Sequence, residues 1–381
     1  MKNSFITILD FGSSKITCMA ASKVAGREDF LIRAVGQSSY NGFDENSWYE
    51  PDKLAEAVTD AISQVERKTE TTVRELYVGV PGAFCATATG EASLTFHSKK
   101  KIDSDDVKEL VEKAKIYDNV SDYLALEGKP VYFILDGVLK NYDPVGSVAS
   151  KITALVSFSF IKNTFRNSVS PILLDKGIKK VTYVNACDAE AQFVAQSCGC
   201  IDYCIVVDVG HITTNVMLCG GKSLLFSRSF ALGSGYLASD LCQVEGCSYG
   251  VAMSALSKVN FSLEFKEGDC YNVNGTALDA RRTNEILKAR IAQIADYIVK
   301  SFQYCDKEIP YNTPIVLTGG GLTYLRGGAH LLSEYLGKNV RVYESVNPQT
   351  NRNEYVSCYG VIREAINQNS VKNGFFSFFR K

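Results

Sequence analysis

The sequence predicts an α/β fold of two related halves with an α+β unit inserted into the first, and three stretches carry that prediction. Phe5-Ile-Thr-Ile-Leu-Asp10-Phe-Gly12-Ser-Ser-Lys15 opens the chain as an apolar strand that ends in Asp-x-Gly and a small, hydroxyl-rich turn. Tyr203-Cys-Ile-Val-Val-Asp208-Val-Gly210-His-Ile-Thr213-Thr214-Asn215 repeats the pattern in the second half, and each copy is followed by a second apolar run, Ile16–Ala20 and Val216–Leu218. The third stretch, Pro314-Ile-Val-Leu-Thr318-Gly319-Gly320-Gly321-Leu322, is a strand running into a glycine turn.

The remaining elements follow in order. Strands are predicted at 5–10, 16–22 and 31–37. An amphipathic helix over Asp52–Arg67 places Leu54, Ala57, Val58, Ile62 and Val65 at helical spacing. Leu76–Val80 reads as a short buried strand. The character changes between 82 and 166: a strand over Glu91–His97, a basic turn at Lys99-Lys-Lys101, a helix capped at Ser104 (Asp105–Ile116), and strands over Val131–Leu139 and Ile152–Ile161. That is a compact α+β unit in its own right. Alternation resumes with a helix over 164–177 and a strand over Lys180–Tyr183. Beyond the second hairpin, Ser229-Phe-Ala-Leu-Gly233-Ser-Gly235 is a strand entering a glycine turn and a helix. A long helix over Thr283–Cys305 carries Ile286, Leu287, Ile291, Ile294, Ile298 and Phe302 on one face, and α/β character returns over Pro314–Ala365.

The predicted division is a first lobe of 1–81 and 167–203, the inserted unit 82–166, a second lobe of 204–233 and 311–365, its smaller subdomain 234–310, and a linker with tail over 366–381. At 381 residues, 46% hydrophobic and 22% charged, the chain has apolar material for more than one core. A net charge of −1 supplies no phosphate-neutralising excess, so general nucleic-acid binding is not expected. No signal peptide and no transmembrane run are read. Twelve cysteines without CxxC pairs read as reduced thiols, mostly in apolar runs such as Cys18, Cys204 and Cys219. A metal site from Cys198, Cys200, Cys204 and His211 is the sharper but weaker alternative.

The end of the chain breaks the pattern. A polar connector, Ile366-Asn-Gln-Asn-Ser-Val-Lys-Asn, precedes Gly374-Phe375-Phe376-Ser377-Phe378-Phe379-Arg380-Lys381. On a helical wheel Val371 and the four Phe span roughly 160°, with Asn373, Ser377 and Lys381 opposite. Such a tail suits an anionic lipid surface, each Phe contributing about 1–2 kcal/mol and each basic residue about 1. Docking back onto the body is the alternative.

The two hairpin tips lack bulky side chains apart from His211 and Ile212, so backbone N–H groups and hydroxyls there can close around phosphates. The strand-end carboxylates, Asp10 and Asp208, can hold a divalent cation through water. With the glycine turn, the constellation looks like the actin-like (ribonuclease H-like) ATPase superfamily. The inserted unit and the aromatic–basic tail make the chain resemble FtsA, the actin-like cell-division family that anchors FtsZ. The resemblance implies ATP and Mg2+ between the lobes, with Asp10, Gly12, Ser13, Ser14, Lys15, Asp208, Gly210, Thr213, Thr214, Gly233, Gly319, Gly320 and Gly321 at the nucleotide and Asp10 and Asp208 at the metal. It implies a membrane contact through Phe375, Phe376, Phe378, Phe379, Arg380 and Lys381. It also implies self-polymerisation, FtsZ and later division proteins as partners, and a place on the cytoplasmic face of the membrane at the division site.

Departures from the family pattern cluster at the nucleotide. His211 and Ile212 stand where the family has glycines, Asn215 where it has an acid, Asn185-Ala186 in place of Glu-Pro, and Met253 and Ser254 where Glu and Lys are usual. An amide holds a water but cannot take its proton, so no catalytic residue is assigned and weak or absent ATPase activity is expected. A sugar or acid kinase of the same superfamily would need a catalytic carboxylate and has no use for the tail. A PilM-like pilus-assembly protein is expected to lack the tail.

Overall fold

The computed structural model describes residues 5–24, 29–43, 47–118, 120–200 and 202–378, with side chains described as far as residue 369. The chain runs β1 (Ile6–Phe11), β2 (Lys15–Lys23), β3 (Phe30–Ser39), α1 (Pro51–Thr69), β4 (Glu75–Val80), β5 (Cys85–Lys101), α2 (Ser104–Lys113), β6 (Tyr123–Ala125), β7 (Lys129–Leu135), β8 (Leu139–Asn141), β9 (Val148–Lys162), α3 (Asn163–Asp175) and β10 (Lys180–Asn185). It continues with α4 (Ala186–Ser197), β11 (Tyr203–Val209), β12 (Thr214–Gly220), β13 (Ser223–Phe230), α5 (Ser234–Glu245), α6 (Tyr249–Leu256), β14 (Cys270–Val273), β15 (Thr276–Asp279), α7 (Ala280–Ser301), β16 (Ile315–Thr318), α8 (Gly328–Leu336), β17 (Val340–Val342) and α9 (Val356–Phe378).

The repeat seen in the hairpins extends to whole sheets. The first is ordered β3-β2-β1-β4-β10 and the second β13-β12-β11-β16-β17. In both, the first three strands are antiparallel neighbours and the last two run parallel to the central one. Asp10 therefore sits between Thr17 and Gly79, and Asp208 between Asn215 and Thr318, at equivalent ends of equivalent strands. The inserted residues form a third, antiparallel sheet, β5-β9-β7-β8, with β6 on the far end of β9. The fold is thus the actin-like duplicated α/β architecture with an inserted α+β unit.

The two main sheets bury their facing sides on the same pair of helices. Nine of the twelve residues of α4 are buried, the acids Asp188 and Glu190 among them, because the helix is packed between the two sheets. Val194 of α4 and Val361 and Ile362 of α9 share one core with Ile8 and Met19 of the first sheet and Val206 and Met217 of the second. The outer face of the first sheet packs on α1 and α3, and that of the second on α5, α7 and α8.

Several local expectations differ from the structure. Lys99-Lys-Lys101 is not a turn but the end of β5, where Lys100 and Lys101 pair with Ala149 and Val148. Lys100 reaches Asp106 at 2.8 Å, so the basic triplet is partly neutralised. The cap of α2 is Asp103 rather than Ser104, closed by a reciprocal bond from Asp106. The strand expected over Val131–Leu139 breaks at Asp136-Gly137, both in positive φ, and restarts as β8. The 366–373 connector is helical and continuous with α9, which runs through Phe375, Phe376 and Phe378; Phe379, Arg380 and Lys381 lie outside the described residues. All twelve cysteines are free, and among the described residues no His, Cys, Asp or Glu group is arranged to hold a metal directly.

One ion network ties the inserted sheet to both shared helices. Lys129 of β7 donates to Asp188 of α4 at 2.8 Å and lies 3.0 Å from Glu364 of α9. Both carboxylates are largely buried, so removing the cation leaves two uncompensated charges. Lys129→Met is expected to lower stability by about 3 kcal/mol, read from urea unfolding. Restoring neutrality with the triple change Lys129→Met, Asp188→Asn, Glu364→Gln is expected to recover part of that loss.

Candidate functional site

A cleft of about 390 Å3 opens between the two main sheets. Its floor is the pair of strand ends carrying Asp10 and Asp208, and its sides are the two hairpin tips and the turn after β16. Of the residues singled out from sequence, Asp10, Gly12, Ser13, Ser14, Lys15, Asp208, Gly210, Thr213, Gly319 and Gly320 line it. Thr214, Gly233 and Gly321 do not. Thr214 is fully buried and its hydroxyl donates to the Leu232 carbonyl at 2.6 Å. Gly233 lies against the back of the second tip, where an added Cβ would be 2.5 Å from the His211 carbonyl oxygen. Gly321 donates its N–H to the Val209 carbonyl at 2.7 Å. These three shape the wall from behind.

The glycine turn is dictated by close approach. Gly319 has φ +82°, and a Cβ there would lie 2.2 Å from Asp208 Oδ1. The two tips also touch each other: the Ile212 N–H donates to Ser13 Oγ at 2.9 Å. Ile212 turns out of the cleft, its side chain close to Gly42. His211 stays in the wall, its Nε2 3.0 Å from the Tyr249 hydroxyl. Lys15 stands with its ammonium 5.0 Å from the centre of the Tyr355 ring.

The amides behave differently from each other. Asn185 does not line the cleft: its oxygen caps α4 by accepting from the Cys187 and Asp188 N–H groups, and its nitrogen donates to Ser159 Oγ at 3.0 Å. Asn185 is thus a structural cap, and the expected lost acid beside a terminal phosphate is not at this position. Asn215 does line the cleft, donating to Asp208 Oδ2 at 2.9 Å while accepting from Ser229 Oγ. Met253 lines it too, whereas Ser254 donates back to the Gly250 carbonyl at 2.8 Å within its own helix.

Sequence reasoning missed Glu190. It lies on α4, is 2% exposed, faces the cleft and accepts from the Thr318 hydroxyl at 2.7 Å. It also missed the start of α9, where Ser357 donates to Asp10 Oδ1 at 2.7 Å. The signal for Glu190 was present: two acids, Asp188 and Glu190, interrupt Ala186–Ala195, a stretch that is otherwise apolar except for Gln192. Asp188 is satisfied by Lys129, which leaves Glu190 as the acid without a cation.

Three carboxyl groups, Asp10, Asp208 and Glu190, therefore share the floor, and among the described residues only neutral donors are in hydrogen-bond contact with them. Burial raises all three. Asp208 is pushed up to about 6, against the Asn215 bond that lowers it and with the Asp10 charge adding to the rise. Asp10 is raised by burial despite hydrogen bonds from Ser357 and Cys358, and Glu190 lies well above the carboxylate range through burial and the neighbouring Asp208. Three carboxyl groups gathered at one end of a cleft, with the Lys15 ammonium and the Ser13, Ser14 and Thr213 hydroxyls along its sides, are the chemistry that a cation-bound polyphosphate satisfies.

Because the folded state holds an extra proton on Glu190, that group's favourable contribution is present at low pH. It is lost as pH rises through the carboxylate range toward the raised value. Glu190→Gln keeps an acceptor for Thr318 and removes the charge. The expected outcome is a protein stabilised by about 1–3 kcal/mol at pH 8 in the absence of nucleotide, with a flatter dependence of stability between pH 5 and 8, read from thermal melts across that range.

No family model matches the chain. Among curated proteins it is 25% identical to the cell division protein FtsA of Streptococcus pneumoniae over 356 residues, covering 90% of this chain and 76% of that protein. It is 22% identical to FtsA of Enterococcus faecalis, covering 88% and 77%. Among solved structures, a chain of the PilM-PilN type IV pilus biogenesis complex superposes with TM-score 0.64 at 15% identity, covering 96% of this chain and 99% of that one. MreB5 of Spiroplasma citri bound to AMPPNP superposes with TM-score 0.57 at 9% identity over 98% and 100% of the two chains. The chain has the actin-like fold, and its sequence is similar to that of the cell division protein FtsA over nine-tenths of its length.

Proposed function

We propose that this protein is an actin-like, nucleotide-binding filament protein that tethers FtsZ filaments to the cytoplasmic face of the membrane at the division site. The observation that carries the reading is the equivalence of Asp10 and Asp208, placed by matching strands on one cleft, in a chain similar to FtsA along nine-tenths of its length. Bound Mg2+ supplies charge neutralisation for the three floor acids and for a polyphosphate. Asp10 and Asp208 address it through water, while Ser13, Ser14, Lys15 and Thr213 face the phosphates and Gly319 and Gly320 the adenosine of ATP. Thr214, Gly233 and Gly321 hold these groups from behind.

Turnover is not the working activity in this reading. Asn215 replaces a carboxylate with an amide and spends both ends on Asp208 and Ser229, so no general base is offered there. Nucleotide then favours the closed, polymerising state through its higher affinity for that state. Among the described residues no helix is long and apolar enough to cross a membrane, and attachment is assigned to Phe375, Phe376, Phe378, Phe379, Arg380 and Lys381. One tail binds weakly; a filament carrying many binds avidly. FtsZ and later division proteins are the proposed partners. A PilM-like role in pilus assembly is the second reading, favoured by the TM-score of 0.64 with the PilM-PilN chain.

Co-sedimentation with anionic liposomes separates the two. Replacing Phe376 and Phe379 by Glu, or removing residues 370–381, is expected to abolish sedimentation while leaving the circular dichroism spectrum and melting temperature unchanged. Wild-type-like sedimentation of the variants would reject the tether. In the same tube, filaments on lipid with phosphate release well below about one per second are expected. Sustained faster turnover without filaments would place the protein among the enzymes.

A further inference from the structure

The second hairpin tip offers few donors to a phosphate. Its Gly210 N–H is spent on the Thr213 carbonyl at 2.9 Å, its Ile212 N–H on Ser13 Oγ, and the Thr214 hydroxyl on the Leu232 carbonyl. A tip built to cradle phosphates by backbone alone would keep such groups free. What this tip has instead is an imidazole held in the cleft wall.

That ring is placed with care. Its Nε2 is 3.0 Å from the Tyr249 hydroxyl at the start of α6, with the two rings edge to face. Gly235 of α5 lies so close that a Cβ there would be 3.0 Å from both Cε1 and Nε2. The His211 carbonyl accepts from the Gly235 N–H at 2.7 Å, which fixes the backbone under the ring. Among the described residues Nδ1 has no hydrogen-bond partner, and it is not one of the buried polar atoms left unpaired. Burial lowers the ring's proton affinity and so favours its neutral form. The 3.0 Å contact fits either tautomer of a neutral ring, and in the one that carries its proton on Nδ1 the Tyr249 hydroxyl donates to Nε2.

We propose that His211 is a phosphate ligand of this cleft, its Nδ1–H donating to a phosphoryl oxygen of the bound nucleotide, and that Tyr249 is a positioning residue that selects this tautomer. The inference rests on the nucleotide-binding reading of the site and deepens it. The side chain that departs from a glycine tip thereby replaces the donors that Ile212 and Gly210 no longer offer. Gly235 leaves room for the ring, since a Cβ there would stand 3.0 Å from its Cε1 and Nε2 and from the His211 carbonyl oxygen.

Binding to the full-length protein is measured calorimetrically with Mg-ATP, Mg-ADP, adenosine and inorganic tripolyphosphate. His211→Ala is expected to weaken Mg-ATP, Mg-ADP and tripolyphosphate about tenfold or more, the effect of losing a hydrogen bond to a charged group, and to leave adenosine within about twofold. His211→Asn, whose amide nitrogen stands near the position of Nδ1, is expected to regain most of the loss, and His211→Gln is not. Tyr249→Phe is expected to fall between wild type and His211→Ala. Unchanged Mg-ATP affinity in His211→Ala overturns the proposal while leaving nucleotide binding intact. Equal losses for adenosine and Mg-ATP, or equal losses in the Ala and Asn variants, assign the ring a packing role and also overturn it. A wild-type protein that binds none of the four ligands overturns the nucleotide reading itself.

Discussion

Two sheets of the same order and sense share one pair of helices, and the rest of the molecule follows from that constraint. Each sheet has an outer face with its own cover and an inner face that is apolar. The inner faces are buried on α4 and α9, whose side chains mix in one core with residues from both β1 and β11. Because that core is common, the carboxyl ends of the central strands come to the same place. The cleft is the remaining space above α4 and α9, at the strand ends, where ligand sites of open α/β sheets form. A third contact, Lys129 with Asp188 and Glu364, sets the inserted sheet against the same helices.

The helices also decide the electrostatics of the cleft. α4 brings Glu190 to the floor and α9 brings the Ser357 hydroxyl to Asp10. Three acids close together, with no ion-paired cation among the described residues, are tolerated because neutral donors hold each one: Ser357 on Asp10, Asn215 on Asp208, Thr318 on Glu190. Neutral donors support a carboxyl group in either protonation state more evenly than a lysine would. The cleft floor thus gathers three carboxyl groups on which burial favours the proton.

The departures from the FtsA pattern divide by where their side chains point. Asn185 caps α4 and Ile212 packs outside the cleft beside Gly42, so neither obstructs the space between the sheets. Asn215 and His211 do face it, each fixed by a specific partner, Ser229 and Tyr249. Substitutions that look equivalent in a motif are therefore unequal in space. The helix α9 adds a further link, since its first turn touches Asp10 and its far end enters the phenylalanine-rich tail.

Periodicity and turn chemistry in the sequence alone determined the two hairpins, the long helices, the inserted unit and the duplicated plan. These are local properties: alternating or helical burial, and glycines where the backbone must turn sharply. The expected strand over 5–10 overlaps β1 and that over 16–22 lies within β2, and the Asp and Gly of both Asp-x-Gly motifs line one cleft. The misjudged ends were those set by competition between near-equal local choices, such as Asp103 against Ser104 as a cap, or the basic triplet drawn into β5 by pairing with β9. Only the tertiary structure decided what the buried polar groups do. Glu190 and Asp188 stand two residues apart on one helix, yet Asp188 meets a lysine from the inserted sheet and Glu190 meets a cleft. Asn215 and His211 took their places from partners 14 and 38 residues away, which no local pattern encodes, whereas Asn185 caps its own helix and only its bond to Ser159 is distant. A side chain's helical or strand preference is written in its neighbours along the chain, but the cost of burying its charge depends on which distant groups the fold sets against it.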